Sequence, residues 1–143
     1  MADRYAGDRI LADDIAALGS TLTAFTPTWT NLTVGSGTQD CAYRTRGAWV
    51  DARYLLTWGS TTSISGIVTA TLPVAALASA VFIATAVYRD SSASTQYHGL
   101  VSPSGGALRL MTFASPRADI SSSAPFTWAT SDTMGWCITY PIA

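Results

Sequence analysis

The chain contains a single histidine, His98, and this bounds the acid–base chemistry open to its 143 residues. With Ser102 or Ser104 and with Asp90 or Asp119, His98 matches the residue types of a hydrolytic triad, in which histidine takes the hydroxyl proton and a carboxylate orients the ring. Such a set carries little weight where Ser and Thr make up about a quarter of the chain. The G-x-S-x-G elbow is absent, and its strand–turn–helix setting is foreign to this sequence. On the parity of Gln96, His98 and Leu100, the imidazole takes the outer face of a strand. Glycosidase chemistry needs two carboxylates on opposite sides of the scissile bond. Only Asp is available, and neither Asp40 nor Asp51 has a second carboxylate placed beside it by spacing. Asp90, Asp119 and Asp132 fall in loops, where Asp closes turns onto its own backbone. No D-x-D-x-D run offers a calcium site, and two isolated thiols, Cys41 and Cys137, are too few for zinc. Those thiols read as reduced, buried strand residues, with a disulfide between them as the alternative. Gly105-Gly106 is a hairpin turn and no phosphate cradle. Asn31-Leu32-Thr33 fits a glycosylation sequon, but no secretory signal accompanies it. The sequence reads as a non-enzyme with no cofactor and no metal site.

Aromatic side chains are the remaining candidates for recognition, since five Trp and six Tyr are a large supply for this length. Most are expected in the core or at subunit contacts. Trp49 stands apart because it shares the polar parity of Asp51 and Arg53. Trp128 stands apart because it follows Pro125 and Phe126 in an irregular stretch. Trp49, Asp51, Arg53 and Trp128 are therefore the candidate contact residues.

Hydrophobic residues make up 48% and charged residues only 12%; every base is Arg, every acid is Asp, and the net charge is -1. No basic stripe exists to neutralise phosphates, so nucleic acid is excluded as a partner. The apolar run Ile67–Tyr88 has the length of a membrane span, yet Pro73 and the hydroxyls of Thr69, Thr71, Ser79 and Thr85 argue for two strands around a turn instead. Charges at Asp3, Arg4, Asp8 and Arg9 with no apolar run behind them do not make a signal peptide.

The elements that must position these residues are strands. In GAWVDARYLLTWG, from Gly47 to Gly59, one parity holds Val50, Ala52, Tyr54, Leu56 and Trp58, while the other holds Trp49, Asp51, Arg53, Leu55 and Thr57. A helix would mix Asp51 into the stripe of Leu55 and Trp58, so the alternation favours a strand long enough to be central. Further strands are expected over 29–34, 39–46, 48–58, 67–72, 81–88, 96–102, 107–113 and 134–140, with a hairpin at Pro103-Ser104-Gly105-Gly106. About eight strands at regular spacing predict an antiparallel β-sandwich or jelly roll. Residues 1–26 differ. Asp8 can cap a helix over 9–18, and Leu11, Ile15, Leu18, Leu22 and Phe25 repeat at spacings of 4, 3, 4 and 3, a heptad seam. Such a helix is too short to stand alone, so it must pack on its own domain, on copies of itself or on a larger assembly. The division is thus 1–26, attachment or trimerisation, and 27–143, a β knob.

The opening AGDRILADDIAAL and the run TPTWTNLTVGSGTQDCAYRTRGAWVDARYLLTWGSTTSISGIVTATLPVAA resemble small virion proteins of tailed bacteriophages, especially those infecting actinobacteria. The likeness covers Ala6 to about Ala75 and consists mainly of fold-forming Gly, Trp and Pro. It implies a homotrimer on the virion surface, assembled in the bacterial cytoplasm, with Leu11, Ile15, Leu18, Leu22 and Phe25 as the attachment or trimer seam. The implied function is a capsid decoration or head-fibre protein that docks on the major capsid protein. The alternative is a minor tail protein or short tail fibre whose β-domain binds a host-surface glycan.

Overall fold

The computed structural model describes residues 21–113 and 116–143, and these form an antiparallel, mainly β structure. The strands are β1 (Thr23–Ala24), β2 (Trp29–Thr33), β3 (Thr38–Gln39), β4 (Ala42–Arg46) and β5 (Trp49–Thr57), then β6 (Ser63–Thr71), β7 (Ala84–Asp90), β8 (Thr95–Ser104), β9 (Ala107–Thr112) and β10 (Thr133–Pro141). Every expected segment overlaps a strand, but the segment expected over 39–46 is divided between β3 and β4, β6 starts at Ser63 rather than Ile67, and the two-residue β1 is an addition. The helix expected over 9–18, with Leu11, Ile15 and Leu18, lies outside the described residues. Its seam does not continue as helix through Phe25, because Thr23 and Ala24 pair with Tyr43 and Ala42. The sheet thus reaches back to residue 23, inside the segment set apart as 1–26.

All ten strands belong to one curled sheet in the order β1-β4-β5-β10-β7-β8-β9-β6-β2, with β3 also on β5. The stretch from Gly47 to Gly59 is central, as its alternation predicts: β5 has β4 and β3 on one side and β10 on the other. Val50, Ala52, Tyr54, Leu56 and Trp58 are all buried. Along β10, Met134, Trp136, Ile138 and Tyr140 are buried in the same way. The curl brings β2 and β6 over this inner face. Trp29 of β2 meets Trp136 edge-on at 6.1 Å, and the Tyr54 hydroxyl donates to the Thr71 carbonyl at 2.9 Å.

Flat aromatic contacts organise the core. Tyr54 stacks on Trp136 at 4.6 Å, Trp58 on Trp128 at 4.1 Å and Phe82 on Tyr140 at 5.3 Å. Each such pair adds about 0.5–1.5 kcal/mol beyond the area it buries. The fully buried Asp132 has three donors, the Ser91 amide at 2.9 Å, the Ser91 hydroxyl at 3.0 Å and the Ala129 amide at 2.6 Å. It ties the β7–β8 turn to the loop before β10, so the expectation that loop Asp residues close turns holds here in buried form. Glycines fit where backbone geometry demands them: Gly105 and Gly106 take φ of 58° and 82° in the β8–β9 hairpin.

Two expectations need correction. The strand predicted from Val81 begins at Ala84, after a connection over 72–83. Residues 81–83 keep the alternation, with Phe82 inside, but lie beyond the β7 ladder, so Val81 and Ile83 are 93% and 65% exposed. The two cysteines are unpaired, but only Cys41 is buried; Cys137 is exposed, on the outer parity of β10.

Gly99 of β8 is packed where any Cβ would strike the Met111 carbonyl and the Tyr88 ring from the neighbouring strands. Gly99→Ala is expected to destabilise the protein by about 1–3 kcal/mol, as overpacking of a close contact does. Urea unfolding measures it, and an unchanged midpoint would show that the sheet yields there.

Candidate functional site

The outward parities of β4, β5, β10 and β7 make one surface, and it holds three of the four candidate contact residues. Trp49, Asp51 and Arg53 project from β5 as the alternation predicts; Trp49 is 51% exposed. Trp128 does not join them. Its ring is sandwiched by Trp58, Phe126 and the edge of Tyr88, and its indole N–H donates to the Ser121 carbonyl at 3.0 Å. The backbone here is irregular, as expected, but the side chain turns inward, and Trp128 is a plug over the core. Of the seam residues, Phe25 packs edge-on against Tyr43 and Tyr54, and Leu22 is about half exposed.

Charge on this surface is organised around Asp51. Arg44 donates to it at 3.0 Å, Arg46 approaches at 2.7 Å, and the Thr139 hydroxyl of β10 donates at 2.8 Å. The register makes this set possible, because Arg44 and Thr139 are the cross-strand partners of Asp51 on its two sides. The Arg46 guanidinium chiefly, then the Thr139 and Arg44 bonds, outweigh partial burial and hold the carboxyl at about 2, below its ordinary 3.8. Arg53 donates to both oxygens of Asp40, at 2.8 and 3.0 Å. Both carboxylates that lacked a partner in the sequence are thus engaged by arginine.

The middle of the surface is sunken because the outer parity of β10 is small: Thr133, Gly135, Cys137 and Thr139. Gly135 has Leu55 of β5 on one side and Val87 of β7 on the other. Two shallow depressions of about 470 and 480 Å³ run along this line and share Arg53 and Cys137. Leu55, Val87, Gly135 and Cys137 were not singled out by sequence reasoning. The only available signal was the run of small residues on one parity of the last strand.

At the far end of the sheet, β10 meets the connection that precedes β7, and several side chains on these segments are apolar and exposed. Trp49 is paired in register with Pro141, and the Leu77 amide donates to the Pro141 carbonyl at 2.9 Å. Phe82 stacks inward on Tyr140, which turns its neighbours Val81 and Ile83 outward beside the end of β10. Trp49, Leu77, Val81 and Ile83 therefore lie at one end of the sheet.

The residues of the hypothetical triad are not assembled. His98 and Ser102 lie on one strand, four residues apart, about 14 Å in an extended chain. Asp90 accepts from Ser92 and Ala93, and Asp119 is held by Arg109 at 2.6 and 2.7 Å. Among the described residues no three of His, Cys and Asp gather as metal ligands do, and no helix is long and apolar enough to cross a membrane. No protein-family model matches the chain, and no curated protein or solved structure matches it.

A folded carboxylate with a depressed pKa adds stability above its unfolded value and loses it as pH falls toward its folded value. Asp51→Asn is expected to cost about 1 kcal/mol near pH 7, after allowing for solvent screening, with the cost shrinking from about pH 4 to about pH 2. Urea unfolding across that range tests this, and a cost that did not change with pH would sink it.

Proposed function

We propose that this protein is a non-enzymatic structural protein on the virion surface of a tailed bacteriophage, a homotrimeric capsid decoration or head-fibre protein attached through residues 1–26. In this reading the curled sheet closes as a β-sandwich or jelly-roll knob that projects from the shell. The observation that carries it is the apolar end of the sheet. Trp49, Leu77, Val81 and Ile83 are too large and too exposed to be left to water together, and grouped exposure of this kind marks protein contacts. Cores of subunit contacts are poor in charge and rich in aromatic residues, which suits Trp49 and its neighbours. Three copies related by a threefold axis would each bring this end of the sheet against a neighbour and close the ring. The resemblance over Ala6 to about Ala75 supplies the virion.

A second reading, a minor tail protein that binds a host-surface glycan, is favoured by one feature. A depression of about 480 Å³ is lined by Tyr97, His98, Phe113 and Pro125, with Phe113 more than half exposed. Aromatic faces of this kind stack on sugar rings.

Light scattering of the full chain is expected to return a trimer at micromolar concentration. Val81→Asp and Trp49→Asp are expected to shift it to monomer while far-UV circular dichroism stays unchanged; a wild-type monomer would overturn the reading. Imaging of particles separates the two roles, many copies over the shell for decoration and a few at one vertex for a tail protein. Binding to a host-glycan array that is lost in Phe113→Ala would favour the second reading.

A further inference from the structure

We propose that the depression beside Pro103 is a socket for Trp49 of a second copy of this chain. The proposal rests on the trimer reading and names the contact by which the copies join. The depression originates in β8. Gly105 and Gly106 make a two-residue turn, so Ser104 and Ala107 form the hydrogen-bonded pair that closes it, and the backbone of Ser104 faces β9. Successive residues of an antiparallel strand direct their backbone groups to opposite sides, so Pro103 faces β7. Continuing the register from Ala84 opposite Val101 would bring Phe82 opposite Pro103. Proline has no N–H to give the Phe82 carbonyl, and the ladder stops short of it. Among the described residues the amide and carbonyl of Phe82 have no hydrogen-bond partner.

Where the ladder stops, the sheet opens into a depression of about 460 Å³ bordered by Leu72, Leu77, Ala80, Phe82, Pro103 and Ala107. No charged residue lines it. Its occupant must therefore be apolar, with a hydrogen-bond donor for the open Phe82 carbonyl. An indole, a flat apolar ring with a single N–H, has that chemistry.

Trp49 is the indole that lacks a place. It is 51% exposed, and whereas the indoles of Trp29 and Trp128 each donate a hydrogen bond, that of Trp49 does not among the described residues. It cannot serve its own chain. From β5 the sheet runs through β10 and β7 to β8, so the depression lies two to three strand spacings away, about 10–14 Å. Leu77 belongs both to the depression and to the exposed end patch, so the socket continues the surface already assigned to subunit contact. An indole at one place and its socket at another make a head-to-tail contact, and such a contact repeated around a threefold axis closes a ring. The absence of charge in the socket suits the core of a subunit contact.

Ala107→Leu fills the socket and leaves Trp49 untouched. By light scattering of the full chain it is expected to be a monomer where the wild type is a trimer, with an unchanged circular dichroism spectrum. Trp49→Phe keeps a ring but loses the N–H, and is expected to assemble about tenfold more weakly. Mixing Ala107→Leu with Trp49→Asp restores one intact indole and one intact socket. At about ten times the concentration at which the wild type assembles, the mixture is expected to form one-to-one pairs, since an open pair lacks the second contact of the ring. A mixture that stayed monomeric would overturn the proposal, because each substitution would then act on its own chain. Unchanged assembly of Trp49→Phe would overturn it in favour of a contact through apolar area alone. A wild-type trimer matched by Ala107→Leu would overturn the socket and leave the trimer standing, whereas a wild-type monomer would overturn both.

Discussion

Nine consecutive residue pairs join β5 to β10, and both faces of the molecule depend on that register. On the inner side it sets Tyr54 opposite Trp136, whose rings stack. On the outer side it sets Leu55 opposite Gly135, Arg53 opposite Cys137 and Asp51 opposite Thr139. A slip of one residue would turn every inward ring to water and every outward charge into the core, because side chains alternate with a period of two. The aromatic stack and the Asp51–Thr139 hydrogen bond each fit only this register. Core and surface therefore enforce the same pairing from opposite sides.

The sequence made the local part of this arrangement readable and left the long-range part hidden. Alternation identifies β5, assigns the faces of its residues and locates most other strands, since it depends only on neighbours along the chain. Sheet order does not, because β10 inserts between β5 and β7 from the far end of the chain. Trp128 shows the consequence. Its sequence context is a loop, and only the fold places it over Trp58 and Tyr88. Val81 shows the converse. Its apolar neighbourhood reads as buried strand, but the ladder of β7 begins three residues later. The trough was hidden for a related reason: a small side chain has meaning only beside larger ones on adjacent strands, here Leu55 and Val87.

The charge set of this protein, Arg and Asp without Lys or Glu, suits a surface built from fixed geometry. Arginine's planar fork holds carboxylates along defined directions, whereas lysine offers a point charge on a flexible stem. Asp is short, so its carboxylate stays near the strand from which it projects. The result at Asp51 is a carboxylate shared by two arginines of β4 and a threonine of β10, bonds that cross three adjacent strands. Arg109 and Asp119 repeat the arrangement on another part of the sheet, with two short bonds. Exposed ion pairs add little stability one at a time. Their larger effect here is positional, since they hold the outer ends of β4, β5 and β10 in one orientation around the trough.

The two features on the outer side of the sheet differ in chemistry. The trough along β10 sets Leu55 and Val87 among Arg53, Asp40 and Arg89, and the arginine on its β5 wall is already held by a carboxylate. Its polar groups are largely answered from within the sheet. Trp49, Leu77, Val81 and Ile83, by contrast, are exposed side chains with no polar group to be answered except the indole N–H of Trp49. Water gives such apolar area nothing in return, and burial against a second surface removes it at roughly 25 cal/mol per Å². That difference is the physical basis for proposing this end of the sheet, rather than the trough, as the contact with another molecule.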